Sequence, residues 1–534
     1  MQIYAKYKEN SHYLSLASLY LIPAGLLFSR AILSIGFITF IANWFLEGNF
    51  KSKSEMLKLK WPAMLVVLIF FIHLAGMLHT ENKAYGLEDL KIKLPLLLPF
   101  FYGSSEKISK ILNINNLLLT FAISTGLATL AGFLNFQFFF EFQTVDDLKN
   151  ISLMGQNIML SWFVNFSIFI LANQLFYQRN KNSLLQVFIY LSLLIWLLVF
   201  LYLLNSLTGY LTFAVLVVFC LLFILFSGKN KKIIIYGSSA LALLIISSVI
   251  YIYLLSENFH KTETVDFINI EQYTANGNPY YHNIASQRTE NGHFIDIYIC
   301  DKELEKEWNK VSKLNYRELD NKGQVLSETI YRYLSSKGLR KDSAGLSKLN
   351  QNDISFIENG CANYLYINKY SPTARIYNIL WQMDKYRKTG NASAQSISQR
   401  IEFMKAAKYI IQKNFWFGVG SGDVMDTFHK TLEILSPKLE PQYRNRVHNQ
   451  YIVEFIALGI LGFLIFLILI ILPVFYLKIW KNFLFSVFFI IVYCSFFTDN
   501  PLETQLGVSL FAFFYSLFSF DILKNKMVKT NEAV

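Results

Sequence analysis

Residues 444–462 read RNRVHNQYIVEFIALGILG, and here a charged segment passes into an apolar run that continues to about residue 477. About 20 apolar residues are enough for a helix to cross the hydrocarbon core of a bilayer. His448 and Asn449 stand at the start of the run, where the first N–H groups of a helix lack partners and its dipole is positive. The stretch therefore predicts a membrane helix with polar residues at its boundary.

His448 is a candidate general base. The positive end of a helix dipole disfavours a charged imidazole, and neutral imidazole accepts a proton. Asn449 is its polar neighbour, and Arg444 and Arg446 lie within one turn, where they can hold an anion. The same residues also fit a simpler interpretation, an asparagine cap and a membrane edge marked by basic residues.

The composition predicts a polytopic membrane protein. Of 534 residues, 54% are hydrophobic and only 16% are charged, and the apolar residues form long runs. A soluble protein of this length would show amphipathic periods instead. The net charge of +12 calls for no nucleic-acid partner, because Lys and Arg cluster in short connections on one side of the predicted membrane.

We predict an all-α fold of about twelve transmembrane helices with a large, mostly helical loop domain. Residues 1–255 hold nine apolar segments, residues 256–447 form the loop, and residues 448–534 hold three more segments. Alternation of the spans places both termini in the cytoplasm and the loop in the periplasm. The weakest segment, residues 91–103, contains Pro95 and Pro99, which favour a kinked or re-entrant path.

The loop has the composition of a folded unit. Its stretch RIEFMKAAKYIIQK, residues 400–413, predicts a helix with one apolar face formed by Phe403, Met404, Ala407, Ile410 and Ile411. Cys300 and Cys361 also lie in the loop, and the sequence leaves open whether they form a disulfide or remain two buried thiols.

A glycine-rich motif and an arginine precede the opening stretch. FGVGSGD, residues 417–423, has the spacing that lets backbone N–H groups approach a phosphate, although the spacing favours a tight turn that returns the chain to the membrane. Arg400 is suited to bidentate contact with a phosphate. The candidate substrate-binding residues are therefore Arg400, Gly418, Gly420, Gly422, Asp423, Arg444 and Arg446.

The sequence lacks the HxxxH and CxxC spacings of metal sites, so we expect no metal and no other cofactor. Two acidic residues, Asp499 and Glu503, lie on a turn between the last two apolar segments and can face the same cavity as His448.

These residues resemble a known family, the bacterial O-antigen ligase and O-antigen polymerase superfamily. The family pattern is a His, then Asn, Ser or Gln, nine residues and GxxG, which His448, Asn449, Gly459 and Gly462 match. Arg400 and the FGVGSGD turn resemble a second family pattern upstream. Residues 79–100, 336–346 and 503–518 are similar to the version found in Bacteroidetes-type bacteria.

The resemblance implies a helical, inverting and metal-independent glycosyltransferase in the cytoplasmic membrane. Such an enzyme takes a glycan from a polyprenyl diphosphate carrier and passes it to an acceptor hydroxyl, here expected to be on lipid A core. The family's essential histidine corresponds to His448, and loop arginines are expected to hold the diphosphate. Many relatives carry an arginine where this chain reads SLTG, at residues 206–209. Because that arginine is missing, we expect Arg400, Arg444 and Arg446 to hold the diphosphate instead.

Other functions remain open at this point. A polymerase of the same superfamily would use a second polyprenyl-linked repeat unit as acceptor, and a protein O-oligosaccharyltransferase would use a Ser or Thr hydroxyl. A transporter of lipid-linked sugars also fits the number of spans, but the large loop and the lack of an evident inverted repeat argue against it.

Overall fold

The fold is built almost entirely from helices. The computed structural model describes residues 2–105, 108, 111–139, 151–153, 157–176, 182–226, 231–368 and 370–531. In the first half, the α-helices are α1 Gln2–Phe28, α2 Arg30–Glu47, α3 Phe50–Leu59, α4 Trp61–Met64, α5 Val67–Gly76, α6 Lys83–Lys93, α7 Leu98–Gly103, α8 Ile114–Phe139, α9 Asn157–Phe176, α10 Leu184–Leu203, α11 Leu207–Phe226 and α12 Lys231–His260.

Ten further α-helices follow after residue 260. They are α13 Asp301–Val311, α14 Leu326–Ser336, α15 Ser343–Leu346, α16 Gln351–Glu358, α17 Pro372–Thr389, α18 Ser396–Lys413, α19 Val424–Leu435, α20 Gln450–Tyr476, α21 Phe483–Thr498 and α22 Gln505–Asn531. The strands in the described ranges are β1 Thr289–Glu290 and β2 His293–Phe294, which form one antiparallel pair. The predicted all-α class is confirmed.

Ten helical stretches in the described residues are long and apolar enough to cross a membrane, which confirms a multi-pass membrane protein. They are Asn10–Phe28, Arg30–Glu47, Trp61–His79, Ile114–Phe138, Asn157–Phe176, Leu184–Leu203, Leu207–Leu225, Ile235–His260, Gln450–Tyr476 and Gln505–Lys524. The predicted number was about twelve. Of the other two predicted segments, α21 is a shorter apolar helix, and the segment near residues 92–103 is not a continuous helix.

Two prolines explain why that segment is broken. The chain forms a 3₁₀ turn over Leu94–Leu97, which contains Pro95, and then the short helix α7, which contains Pro99. Proline has no N–H to donate and clashes with the preceding turn, so each proline stands at the start of a new turn rather than inside a helix.

The described residues divide into two compact units. Unit 1 comprises Met1–Phe133, Ser152–Ile234 and Lys385–Val534, and unit 2 comprises Leu134–Ile151 and Ile235–Asp384. Unit 2 contains α13 to α16 and the strand pair around buried Trp308 and Tyr333. All the residues that the sequence singled out as candidates for the site belong to unit 1.

The two loop cysteines are buried thiols in unit 2, and neither forms a disulfide. The Cys361 Sγ atom lies 3.3 Å from the Asn363 carbonyl oxygen, to which its thiol donates. Burial raises the pKa of the Cys300 thiol. Of the two alternatives that the sequence left open, the structure therefore has the pair of thiols.

Helices α18, α19 and the first part of α20 share one apolar core in unit 1. Phe403, Ala407 and Ile410 point into it from α18, as the sequence predicted, and they meet Phe428 of α19 and Val453 of α20. Met404 was predicted on the same face but is 47% exposed.

Helix α20 is interrupted at Gly459, where φ is 65° and ψ is −174°. The interruption frees backbone groups inside an apolar helix, where an unsatisfied group is costly. The segment after α18 supplies the missing partners: Val419 N donates to Ile456 O at 2.8 Å, and Ile460 N donates to Phe415 O at 2.8 Å. Gly420 N donates to Ala457 O at 3.0 Å.

Alanine at Gly459 should destabilise the protein more than alanine at Gly48. Both glycines have nearly the same φ, 65° and 64°. A Cβ on Gly459 would lie 2.4 Å from the Trp416 carbonyl oxygen, whereas a Cβ on Gly48 would meet nothing within 4 Å. We expect Gly48→Ala to cost only the backbone strain of a positive φ, about 1–3 kcal/mol, and Gly459→Ala to cost clearly more.

Thermal unfolding of the two variants in the same detergent measures this difference. Equal loss of thermal stability would show that the contact between Gly459 and the segment after α18 is unimportant.

Candidate functional site

His448 lies immediately before the first turn of α20 and faces an acidic residue. Its Nδ1 atom is 3.2 Å from Asp499 Oδ1, and its side chain is 34% exposed. A carboxylate only accepts hydrogen bonds, so this contact selects the tautomer with its proton on Nδ1. Within the described residues no protein group bonds to Nε2, which is left as an acceptor at a partly open surface.

Asn449 is the N-cap of α20. Its Oδ1 accepts from Ile452 N at 3.1 Å, and its Nδ2 donates to Phe497 O at 3.2 Å. Both ends of the amide are therefore engaged in orienting the start of the helix relative to α21. A direct catalytic role for Asn449 stays a prediction.

Arg400 approaches the same place from α18. Phe403, one turn further along this helix, has its ring 6.2 Å from the His448 ring. Burial lowers the pKa of Arg400, and the nearby Asp499 carboxylate opposes that change. In the part of the chain that the structure describes, the guanidinium makes no hydrogen bond or ion pair, so it is free to bind an anion.

The other two candidate arginines are engaged by protein groups. Arg446 donates to Glu503 Oε2 at 3.0 Å. When the Asn500 amide is oriented so that both of its ends are satisfied, its oxygen accepts from Arg446 Nε at 2.7 Å and its nitrogen donates to Asp499 Oδ1 at 2.8 Å. Arg444 donates from Nε to the Leu439 carbonyl oxygen at 3.2 Å. Of the three arginines, Arg400 is the one whose guanidinium makes no hydrogen bond or ion pair with another described residue.

Glu503 lies between two cations beneath the site. Its Oε1 accepts from Lys93 Nζ at 3.1 Å, and its other oxygen pairs with Arg446. Burial alone would raise the pKa of Glu503, but Lys93 and then Arg446 hold it below its usual value. Lys93 also donates to Asp89 at 2.6 Å, where burial raises the pKa to about 6 although Lys93 lowers it.

Gln450 extends this buried polar cluster into the first turn of α20. Its side-chain oxygen accepts from Leu502 N at 2.9 Å, and its nitrogen donates to Glu454 at 2.9 Å and to Glu503 at 3.3 Å. Glu454 lies 3.0 Å from His73 Nε2, but without hydrogen-bonding geometry, so the contact is an ion pair only when His73 carries a proton.

The glycine-rich motif forms a clamp between helices. Gly422 N donates to Thr80 Oγ1 at 3.2 Å. The carboxylate of Asp423 accepts from Glu81 N at 2.7 Å and from Asn82 N at 2.8 Å. Gly418 has a φ of 73°, and a Cβ there would lie 2.5 Å from Gly459 N.

The N–H groups of residues 419 and 420 bond to α20, and the N–H group of residue 422 bonds to Thr80 in the connection between α5 and α6. The motif therefore has a bracing function in this structure. Direct substrate binding by Gly418, Gly420, Gly422 and Asp423 stays a prediction.

The sequence analysis did not name several members of the polar cluster. Asp89 and Lys93 are four residues apart on α6, a spacing that predicts an ion pair on a helix. Glu454 is a single acid within an apolar run, which is a signal of a functional or buried polar contact. No group of three or more His, Cys, Asp or Glu side chains suited to hold a metal ion occurs among the described residues.

A comparison with known proteins finds a match, and it covers part of the chain. Residues 368–467 match a family model described as O-antigen ligase. This part of the chain is therefore similar to the O-antigen ligase family. The matched range includes Arg400, the glycine-rich motif, His448 and Gly459. No curated protein matches the chain.

The match confirms the resemblance seen in the sequence. It supports an O-antigen ligase-like or polymerase-like membrane enzyme.

Asp499→Asn should lower the rate of glycan transfer by this protein by roughly ten- to hundredfold, since general base catalysis as a whole contributes about 10²–10⁴-fold. Without the carboxylate, His448 is no longer held in the tautomer that leaves Nε2 free. The measurement is the turnover of purified enzyme, with thermal stability recorded alongside.

Asp426→Asn is the control. Its exposed carboxylate accepts a hydrogen bond from Asn82 Nδ2 at 2.9 Å and does not contact His448. If the two variants turn over equally fast, Asp499 has no part in positioning the histidine.

Proposed function

We propose that this protein transfers a polyprenyl-diphosphate-linked glycan to an acceptor hydroxyl, most simply one on lipid A core, as an O-antigen ligase does. The observation that carries the proposal is the His448 ring, oriented by Asp499 through Nδ1 and unoccupied at Nε2, with the unpaired Arg400 guanidinium beside the same carboxylate. A base and an anion-binding cation at one place are what this reaction requires.

His448 acts on the acceptor. The acceptor hydroxyl gives its proton to Nε2 while its oxygen bonds to the anomeric carbon of the donor sugar. The bond from that carbon to the diphosphate oxygen breaks, and the diphosphate leaves with the electron pair. Attack from the side opposite the leaving group inverts the anomeric configuration.

Arg400 acts on the donor. The negative charge on the diphosphate grows as the glycosidic bond breaks, and a fixed guanidinium stabilises that charge best in a partly desolvated place. Arg446 contributes indirectly, since it is paired with Glu503 and contacts Asn500, which donates to Asp499. The scheme uses no metal ion.

We place the reaction at the outer face of the cytoplasmic membrane. This follows from the alternation of spans when the broken segment of residues 91–103 is counted as one crossing. Both termini then lie in the cytoplasm, and residues 256–447 lie in the periplasm, where the lipid-linked glycan and the acceptor meet.

His448→Ala should abolish the ladder of long surface polysaccharide. The test is a gel of surface polysaccharide from a strain that lacks the chromosomal copy and carries either the wild-type or the variant gene. His429→Ala is the control, because His429 bonds to a backbone carbonyl oxygen, that of Arg444, at 3.1 Å. An unaltered ladder in the His448 variant would refute catalysis by this residue.

The deletion strain separates the ligase from the polymerase. Loss of a ligase leaves long polyprenyl-linked chains and bare core, whereas loss of a polymerase leaves core that carries a single repeat unit. The second result would assign the polymerase reaction to the same His448 site.

Arg400→Ala should abolish transfer, and Arg400→Lys should restore part of it, because lysine keeps the charge but not the planar, bidentate donors. The measurement is the rate of transfer from purified lipid-linked donor at several donor concentrations. Arg444→Ala is the matched control, since that side chain is held by a backbone carbonyl oxygen. Full activity of the Arg400→Ala enzyme would remove Arg400 from the donor site.

A further inference from the structure

Three consecutive aromatic residues project from unit 1 between α18 and the glycine-rich motif. Phe415, Trp416 and Phe417 are 41%, 63% and 67% exposed. They lie outside the apolar runs that cross the membrane, so a position within a membrane-spanning helix does not explain their exposure. A polar turn would connect α18 to α19 equally well. The exposed aromatic side chains therefore indicate a contact with something outside the chain.

The backbone of this segment is fixed against the interruption in α20. Phe415 O accepts from Ile460 N, and the Phe415 ring lies 5.7 Å from the Phe455 ring. Phe455 in turn stacks on Phe463 at 5.3 Å. The aromatic segment is thus held beside the point where the polar first part of α20 gives way to its apolar second part.

The surface of α20 beyond the interruption is exposed and apolar. Its outward residues are Leu461, Leu464, Ile465 and Ile468. They belong to a stretch long and apolar enough to span the membrane, so they face lipid. Phe415, Trp416 and Phe417 continue this lipid-facing surface at its end.

The outward face of α18 continues the same surface. Ile401 is exposed, and so is Met404, which the sequence placed in the core. Between and beyond these apolar side chains lie Lys408 and Lys413, both exposed. Lys405 is exposed as well, but its Nζ atom pairs with Glu402 Oε1 at 2.8 Å. Apolar residues mixed with lysine on one helix face are typical of a helix that lies in the interface of an anionic bilayer.

We propose that Phe415, Trp416 and Phe417, together with the outward face of α18, form an interfacial anchor that inserts into the headgroup region of an anionic bilayer. Tryptophan and other aromatic residues are favoured at this depth because their rings are apolar and their edges tolerate water. Lysines on the same side attract acidic headgroups.

The anchor has a consequence for the site. Helix α18 carries Arg400 near one end and leads into the aromatic segment at the other. Attachment of the aromatic end to the bilayer fixes the position of the helix relative to the membrane surface. Arg400 is then held at a constant depth, which suits a residue that meets a membrane-borne ligand.

Photo-crosslinking of the full-length protein in vesicles tests the proposal. Trp416 is replaced by the photo-reactive aromatic amino acid benzoylphenylalanine, and the same replacement at Ile434 serves as the control. Ile434 is 69% exposed on α19. It lies two residues before Ser436, which bonds to Glu402 near the other end of α18. After irradiation, phospholipid adducts are quantified by mass spectrometry.

We expect phospholipid adducts at position 416 in at least tenfold excess over position 434. We also expect a several-fold higher yield at 416 in vesicles that contain phosphatidylglycerol than in phosphatidylcholine alone. Position 417 is tested in parallel, so that a poorly folded Trp416 variant does not decide the outcome.

Other results would overturn the proposal. Equal lipid adduct yields at 416 and 434 would show that the aromatic segment stays in water. Adducts to a second copy of the chain instead of lipid would identify a protein interface. A yield of lipid adducts at position 416 that does not depend on lipid charge would show that the lysines do not contribute to the anchor.

Discussion

The interruption of α20 at Gly459 is the constraint on which the site depends. An apolar helix that enters a membrane cannot leave backbone groups unpaired, so a break within it requires a second segment with matching donors and acceptors. Residues 415–420 meet this requirement through three backbone hydrogen bonds. The same contact joins the end of α18, and with it Arg400, to the helix that begins beside His448.

Near the start of α20, the buried Glu503 carboxylate forms ion pairs with two cationic side chains. Breaking such a pair by removing one partner is strongly destabilising, because the remaining charge is left without compensation. Glu503 bridges Lys93 of α6 and Arg446, and Asn500 connects Arg446 to Asp499. The orientation of the His448 ring is therefore supported from the opposite side by residues that never contact a substrate in the proposed reaction.

The polar first turn of α20 and the family pattern were readable from the sequence because both are local. The change from charged to apolar residues marks a helix start at any position in a chain, and Asn449 is the cap that the sequence suggested. The spacing of Gly418, Gly420 and Gly422 was also visible. The bracing contacts of this motif could not be predicted. Its partners are Thr80, which is distant in sequence, and α20, which meets the motif only in the folded chain.

The sequence by itself determined the helical class, the membrane location, the family and the identity of His448 and Arg400 as candidate site residues. These follow from hydrophobic run length and from short motifs, which depend only on neighbouring residues. The tertiary structure alone decided which arginine is free, which carboxylate faces His448, and why Gly459 is a glycine. These contacts join segments up to about 400 residues apart, such as Lys93 with Glu503. Local sequence does not indicate which distant segments will pair.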